Sequence, residues 1–377
     1  MTADLTAVPA FANCHSHVFH RALRGRVTGG DSFWTWRARM YDLAAVLDPD
    51  LLFELAAATY AEMHLAGLRT VGEFHYLHHA PDGRPYADPH AMSEALVAAA
   101  RESGMRLALL DTCYLASGFG RPPEGVQARF SDGNAERWAA RVESFAARHA
   151  GTADVVVGAA IHSVRAVPRD QLKLVAAARP SAPLHVHVSE QPAENEACLA
   201  ATGRTPVELL DEAGVWTDRT TAVHATHLTP RDIATIGAAR SFVCLCPTTE
   251  AELADGIGPS VALREAGARL TLGSDGHTVI DPFLEARAVE MHERLRSGVR
   301  GAWSAEQLWH AATTEGHASL GFGDAGTVRL RRSMRTAGAR EPLWAATAAD
   351  VVPDPGHDPD EIAARLARAI HECWERP

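Results

Sequence analysis

His15-Ser16-His17 ends a short apolar opening, Val8 to Cys14. Two imidazoles two residues apart on an extended strand point to the same side, where they can offer two neutral nitrogens to one metal ion. His187 with Glu190, His224 and Asp275 each follow other short β-like apolar runs. His187 can serve as a third imidazole ligand. His185 stands two residues earlier on the same strand face and is its rival; His187 is preferred because it lies nearer the strand's C-terminal end. Glu190, three residues on, can face an attacking water without binding the metal. Asp275, in Gly273-Ser274-Asp275-Gly276-His277, can complete the coordination and accept a proton from that water. Three histidines and one aspartate suit one divalent ion, most naturally Zn2+, with an open position whose water has its pKa lowered to about 7. His224 can hydrogen-bond that water, and His227 is the alternative just beyond the strand end.

These residues are far apart in sequence, so a fold must gather strand ends at one point. The candidate strands are Val8–Asn13, Leu68–Phe74, Arg106–Asp111, Val155–Ile161, Leu184–Val188, Thr221–Ala225, Phe242–Cys246 and Arg269–Gly273. They are continuous apolar runs, as expected of parallel strands buried on both faces. Helical patterns lie between them: Asp50–Ala66, Met92–Ser103, Ala135–Arg148, Pro168–Ala178, Pro206–Glu212, Pro230–Ala238, Ser260–Ala266 and Phe283–Arg296. Several open on Asp, Ser, Thr or Pro, the usual start signals. Eight alternating units predict an α/β fold, a (β/α)8 barrel whose catalytic groups collect at the C-terminal rim of the strands. The first connection, His17 to Asp48, reads as a long aromatic loop with a function. Arg329–Arg340 reads as basic and irregular, and Asp360–Trp374 as a terminal helix.

The chain has 377 residues, 46% hydrophobic and 22% charged, enough to bury a large core. A net charge of −11 argues against a nucleic-acid or anionic-membrane partner. No apolar run approaches a membrane span and no basic leader opens the chain, so a cytoplasmic home is expected. Six cysteines do not make a disulfide framework, and Cys244 and Cys246 read as small buried residues on one strand face. Of the 20 histidines, His90, His149, His292 and His357 are expected at the surface, while His75, His78 and His79 could form a second metal cluster.

The ordered set of His15-x-His17, His187 with Glu190, His224 and Asp275 resembles the amidohydrolase superfamily in its one-metal deaminase form. Where binuclear members carry a bridging lysine or glutamate, this chain has Ile161-His162-Ser163-Val164-Arg165. Finer motifs are similar to the formimidoylglutamate deiminase family over roughly residues 7 to 321. They are Asn13-Cys14-His15-Ser16-His17-Val18-Phe19, Phe33-Trp34-Thr35-Trp36-Arg37, Gly72-Glu73-Phe74-His75-Tyr76, His162-Ser163-Val164-Arg165-Ala166-Val167, Val223-His224-Ala225-Thr226-His227 and Cys244-Leu245-Cys246-Pro247-Thr248-Thr249-Glu250. The resemblance implies hydrolysis of N-formimino-L-glutamate, a small anionic substrate, to N-formyl-L-glutamate and ammonia. It implies Arg37, Tyr76, His162 and Arg165 as substrate contacts, consistent with arginine's bidentate grip on carboxylates. His20 stands where many members have glutamine and could hydrogen-bond substrate too. A homodimer is also implied. The family's flanking β-sandwich, built from both chain ends, is expected to be reduced or missing. Residues 1–321 would then form the barrel, and residues 322–377 a tail holding a remnant of that module plus the terminal helix.

Overall fold

Eight parallel strands form one sheet in the computed structural model, which describes residues 5–26, 33–323 and 326–376. In chain order the strands are β1 (Leu5–Pro9), β2 (Phe11–Ser16), β3 (Leu68–His75), β4 (Arg106–Cys113), β5 (Val155–Ile161), β6 (Leu184–Val188), β7 (Thr220–His224), β8 (Phe242–Leu245), β9 (Arg269–Leu272) and β10 (Thr327–Arg331). Strands β2 to β9 pair with their sequence neighbours in parallel register. The seam between β9 and β2 closes at the rim. There Asp275 N donates to His15 O at 3.0 Å and His17 N donates to Asp275 O at 3.3 Å. Gly273 permits that approach: a Cβ there would lie 2.8 Å from His15 Cβ and 2.9 Å from its backbone N and O.

The expected strands and helices are found within a few residues of their predicted limits, with one exception. Val8–Asn13 is not one strand. Pro9 has no N–H to give a ladder, and the chain splits there. Leu5–Pro9 pairs antiparallel with β10, while the barrel strand starts at Phe11. Proline fills a first-turn position in the helices Pro49–Leu65, Pro192–Thr202, Pro206–Glu212, Pro230–Ala238, Pro247–Glu252 and Pro282–Ser297.

The tail also departs from expectation, since residues 327–331 form a strand rather than irregular chain. Val328 and Leu330 are buried while Thr327, Arg329 and Arg331 are exposed. This is a period-2 pattern hidden in sequence by its arginines. The helix Pro359–Glu375 packs on Pro49–Leu65, burying Leu366, Ala369 and Cys373. The aromatic connection is not all loop: Phe33–Val46 is a helix, and residues 27–32 lie outside the described residues. The buried Arg129 guanidinium bonds Ala44 O and Leu47 O, fixing the end of this helix.

Several histidines are not where composition placed them. His90 and His149 are buried, bonded to Ser144 and Glu94, and His292 and His357 are only partly exposed. His75, His78 and His79 do not converge as a ligand set. His78 Nε2 meets Thr112 O at 2.9 Å and His79 lies 3.2 Å from Asp132, both beside the buried Arg141 that pairs with Asp111 and Asp132. Cys244 and Cys246 are buried as expected. Among the described residues no helix is long and apolar enough to cross a membrane.

Candidate metal and active site

Strand β2 carries His15 and delivers His17 just past its end, β6 carries His187, and the turn after β9 carries Asp275. His187 Nε2 lies 3.0 Å from His15 Nε2 and 3.3 Å from His17 Nε2. Asp275 Oδ1 lies 3.4 and 3.5 Å from the His15 and His17 Nε2 atoms. The outer nitrogens settle what these contacts are. His17 Nδ1 faces Phe74 O at 3.0 Å and His187 Nδ1 faces His162 O at 2.9 Å. A carbonyl accepts only, so each Nδ1 carries the hydrogen and each Nε2 presents a lone pair. Burial, reinforced by neighbouring imidazoles, holds the pKa of His17 and His187 well below the usual histidine range, which excludes extra protons at Nε2. Lone pairs so close repel unless a cation sits among them, and this donor set fits a divalent metal ion. The rival His185 turns away, with Nε2 3.5 Å from Ser319 O.

His224 sits at the end of β7. Its Nε2 is 3.9 Å from Asp275 Oδ2 and 3.8 Å from Glu190 Oε1. His224, Ala225, Ser189, Asp275 and His277 all adopt positive φ without being glycine, between 43° and 67°. Strain of this kind concentrates where side chains must be aimed. His227 instead bonds Asp255 O at 2.7 Å through its Nε2. Burial pushes the Glu190 carboxyl above its ordinary range. Burial opposes charge on His224, but Glu190 and Glu250 outweigh it and raise the imidazole. Asp275 is held below the carboxylate range because bonding and charge from the histidines outweigh burial.

Above these groups lies a partly open chamber, which His17, His20, Arg37, Tyr76, His162, Arg165, Glu190 and His224 all line. His20 Nε2 is 3.2 Å from the Tyr76 hydroxyl. The His162 ring lies 4.6 Å from that of Tyr114. The Arg165 Nε is 3.6 Å from Glu194, and Arg37 stacks over the Tyr41 ring at 5.3 Å. The structure thus brings every expected site residue to one chamber or its floor.

Sequence reasoning missed the supports beneath. Glu250 accepts from Cys246 N at 2.8 Å and lies 3.4 Å from His224 Nδ1; its only signal was a place in the motif after β8. A chain of bonds runs across the barrel seam: Asn13 Nδ2 to Ser274 Oγ, then His277, Ser16 and Glu73. Glu73 also accepts from Val18 N at 2.7 Å, and burial pushes its pKa up to about 8.

Comparison with known proteins agrees with this geometry. Residues 6–331 match the amidohydrolase family. Formimidoylglutamate deiminase from Pseudomonas aeruginosa is 39% identical over 305 residues, 78% of this chain and 66% of that one. The 8-oxoguanine deaminase of Pseudomonas aeruginosa is 30% identical over 77% of this chain and 65% of its own length. The chain therefore spans about two thirds of these curated relatives. An amidohydrolase crystal structure from Brucella melitensis superposes with TM-score 0.89 at 32% identity, covering 97% of this chain and 89% of that one. An adenosine deaminase from Xanthomonas campestris with bound zinc gives 0.84 at 21% identity, covering 98% and 86%, a likeness of fold. The chain belongs to the amidohydrolase family.

Proposed function

We propose that this chain is a one-metal deiminase that hydrolyses N-formimino-L-glutamate to N-formyl-L-glutamate and ammonia. The observation that carries the reading is the convergence of the Nε2 atoms of His15, His17 and His187 with Asp275 below a chamber lined by Glu190, His224 and two arginines. His15, His17, His187 and Asp275 would hold a zinc ion, which supplies a water polarised to a pKa of about 7. The protein's own groups do the rest. His224 and the second Asp275 oxygen flank the place from which the water attacks the formimino carbon, and they take its proton. Glu190 gives a proton to the formimino nitrogen. A second proton transfer lets the C–N bond break and ammonia leave. Arg37 and Arg165 pair with the two substrate carboxylates, and Tyr76, His162 and His20 orient the chain between them.

The test is ammonia release from N-formimino-L-glutamate, with metal content measured on the same sample. About one zinc per chain with release supports the reading; zinc without release refutes the substrate. Glu190→Gln should abolish turnover and leave metal content unchanged, and near-normal turnover would overturn the role of Glu190. A ring deaminase is the second reading, favoured by the aromatic wall of Tyr76, Tyr114 and Phe130. A panel of amidines and N-heterocycles separates the two.

A further inference from the structure

Beside Glu190 and His224 lies a buried carboxylate, Asp255, that the reaction above leaves unused. It sits between two residues in the left-handed region, Ala254 at φ 57° and Gly256 at φ 112°, and is 2% exposed. Its backbone is pinned: N donates to Glu250 O at 2.9 Å, and O accepts from His227 Nε2 at 2.7 Å. The Gln191 amide bonds Oδ1. Oδ2 has no hydrogen-bond partner among the described residues. A buried carboxylate oxygen left so is costly, and a cation is what such an oxygen accepts. The other buried acids beside the chamber are matched already. Glu250 Oε1 meets the Cys246 N–H and His224 Nδ1, and Glu194 faces the Arg165 guanidinium at 3.6 Å. One oxygen of Asp255, one of Glu190 and a His224 ring nitrogen lie within 4.8 Å of one another. Glu190 Oε1 is 3.8 Å from His224 Nε2. Because His224 Nδ1 points its hydrogen at the Glu250 acceptor, Nε2 is the nitrogen a metal can take.

We propose that Glu190, His224 and Asp255 form a second divalent-cation site, separate from the one built on His15, His17, His187 and Asp275, and that zinc bound there inhibits the enzyme. One imidazole nitrogen and two carboxylate oxygens are a donor set that zinc accepts, with water completing the shell. Where His224 Nε2 carries a proton, the ion displaces it. Ligands of a tetrahedral zinc stand about 3.3 Å apart, so the three must draw in. Glu190, partly exposed at the chamber wall, supplies that movement. The two ions lie close together, since His224 Nε2 is 3.9 Å from Asp275 Oδ2. Repulsion between such charges makes the second ion the weaker one. The protein therefore keeps one ion and takes the second only from excess. Inhibition follows from the roles given above, and that half of the proposal rests on the deiminase reading. A coordinated Glu190 has no proton to give, and a coordinated His224 cannot take one. The ion also fills the place of the formimino nitrogen, so zinc and substrate exclude one another.

The probe is zinc alone, offered by equilibrium dialysis to protein that holds one ion per chain. Wild type should take up a second zinc. Asp255→Asn keeps the shape and removes the charged ligand, so it should bind that ion at least about 100-fold more weakly and keep the first. Glu190→Gln should weaken the second ion likewise, which judges the site even where the asparagine variant does not fold. With N-formimino-L-glutamate as substrate, free zinc at ten times the second dissociation constant should raise the KM of wild type about tenfold and leave kcat unchanged. Asp255→Asn should keep its basal turnover and show no response at that concentration. One ion per chain in wild type at every zinc concentration would overturn the proposal. So would a second ion held by Asp255→Asn with wild-type affinity, the mark of binding elsewhere on the surface. Uptake with an unmoved KM would overturn the inhibitory role. If wild type releases no ammonia, the substrate reading fails while zinc uptake still judges the site.

Discussion

Replacing Glu250 separates the support of His224 from the chemistry of His224 itself. Glu250 is buried, and a single oxygen, Oε1, takes both the Cys246 N–H at 2.8 Å and the contact to His224 Nδ1 at 3.4 Å. Glu250→Ala removes both. The Cys246 N–H is left without a partner inside the protein, which costs about 1–3 kcal/mol of stability. His224 loses a bond to a charged acceptor, worth about 1.5–3 kcal/mol. That loss counts toward the barrier where the imidazole gains charge, and at about 1.4 kcal/mol per factor of ten it lowers kcat by about 10- to 100-fold. Glu250→Gln keeps an oxygen able to accept from both donors and removes only the charge, so its kcat should fall about tenfold or less, with stability within about 1 kcal/mol of wild type. Glu250 does not line the chamber, so KM should hold in both variants. The assay is ammonia release at saturating substrate, with metal content and thermal unfolding on the same preparations. An alanine variant within twofold of wild-type kcat, with full metal content, would refute the reasoning.

Other perturbations follow from the same packing. Glu285 is buried against Thr248, and burial pushes its pKa from 4.5 to about 8. Across that window the unfolded chain has released a proton that the folded chain keeps, so stability falls as pH rises. The gain in melting temperature of Glu285→Gln over wild type should thus be near zero at pH 4.5 and grow toward pH 8; a pH-independent gain would contradict this. Arg141 lies 2.7 Å from Asp111 and 2.9 Å from Asp132 in the interior. Arg141→Met strands two buried carboxylates and should cost about 3–5 kcal/mol in urea unfolding, a figure that a loss under about 1 kcal/mol would rule out. Gly273→Ala drives a methyl into the His15 backbone, where nothing flexible can yield, at about 1–3 kcal/mol. Because His15 must shift, metal content should fall as well, and unchanged content with an unchanged melting temperature would refute that coupling.

The barrel was legible because parallel strands buried on both faces read as unbroken apolar runs, and prolines marked the starts of the helices between them. The site was legible because its histidines and acids stand at the ends of those runs. What escaped was whatever depends on closure of the barrel. Asn13 and Ser274 are 261 residues apart and bond only because the last strand returns to the first. Glu250 and Asp255 carry no periodic signature; a turn between left-handed residues brings the second of them to Glu190. Local pattern failed where charge masked alternation, as in Thr327–Arg331, and where buried polar partners drew His90 and His149 inward. The choice between His185 and His187 shows the limit most clearly. Both lie on one face of β6 and both are buried, so spacing and hydrophobicity treat them alike. What separates them is that His187 gives its Nδ1 hydrogen to the His162 carbonyl and so turns an Nε2 lone pair toward His15 and His17. For this pair the deciding feature is the carbonyl that holds the Nδ1 hydrogen, and that carbonyl belongs to the residue just past the neighbouring strand.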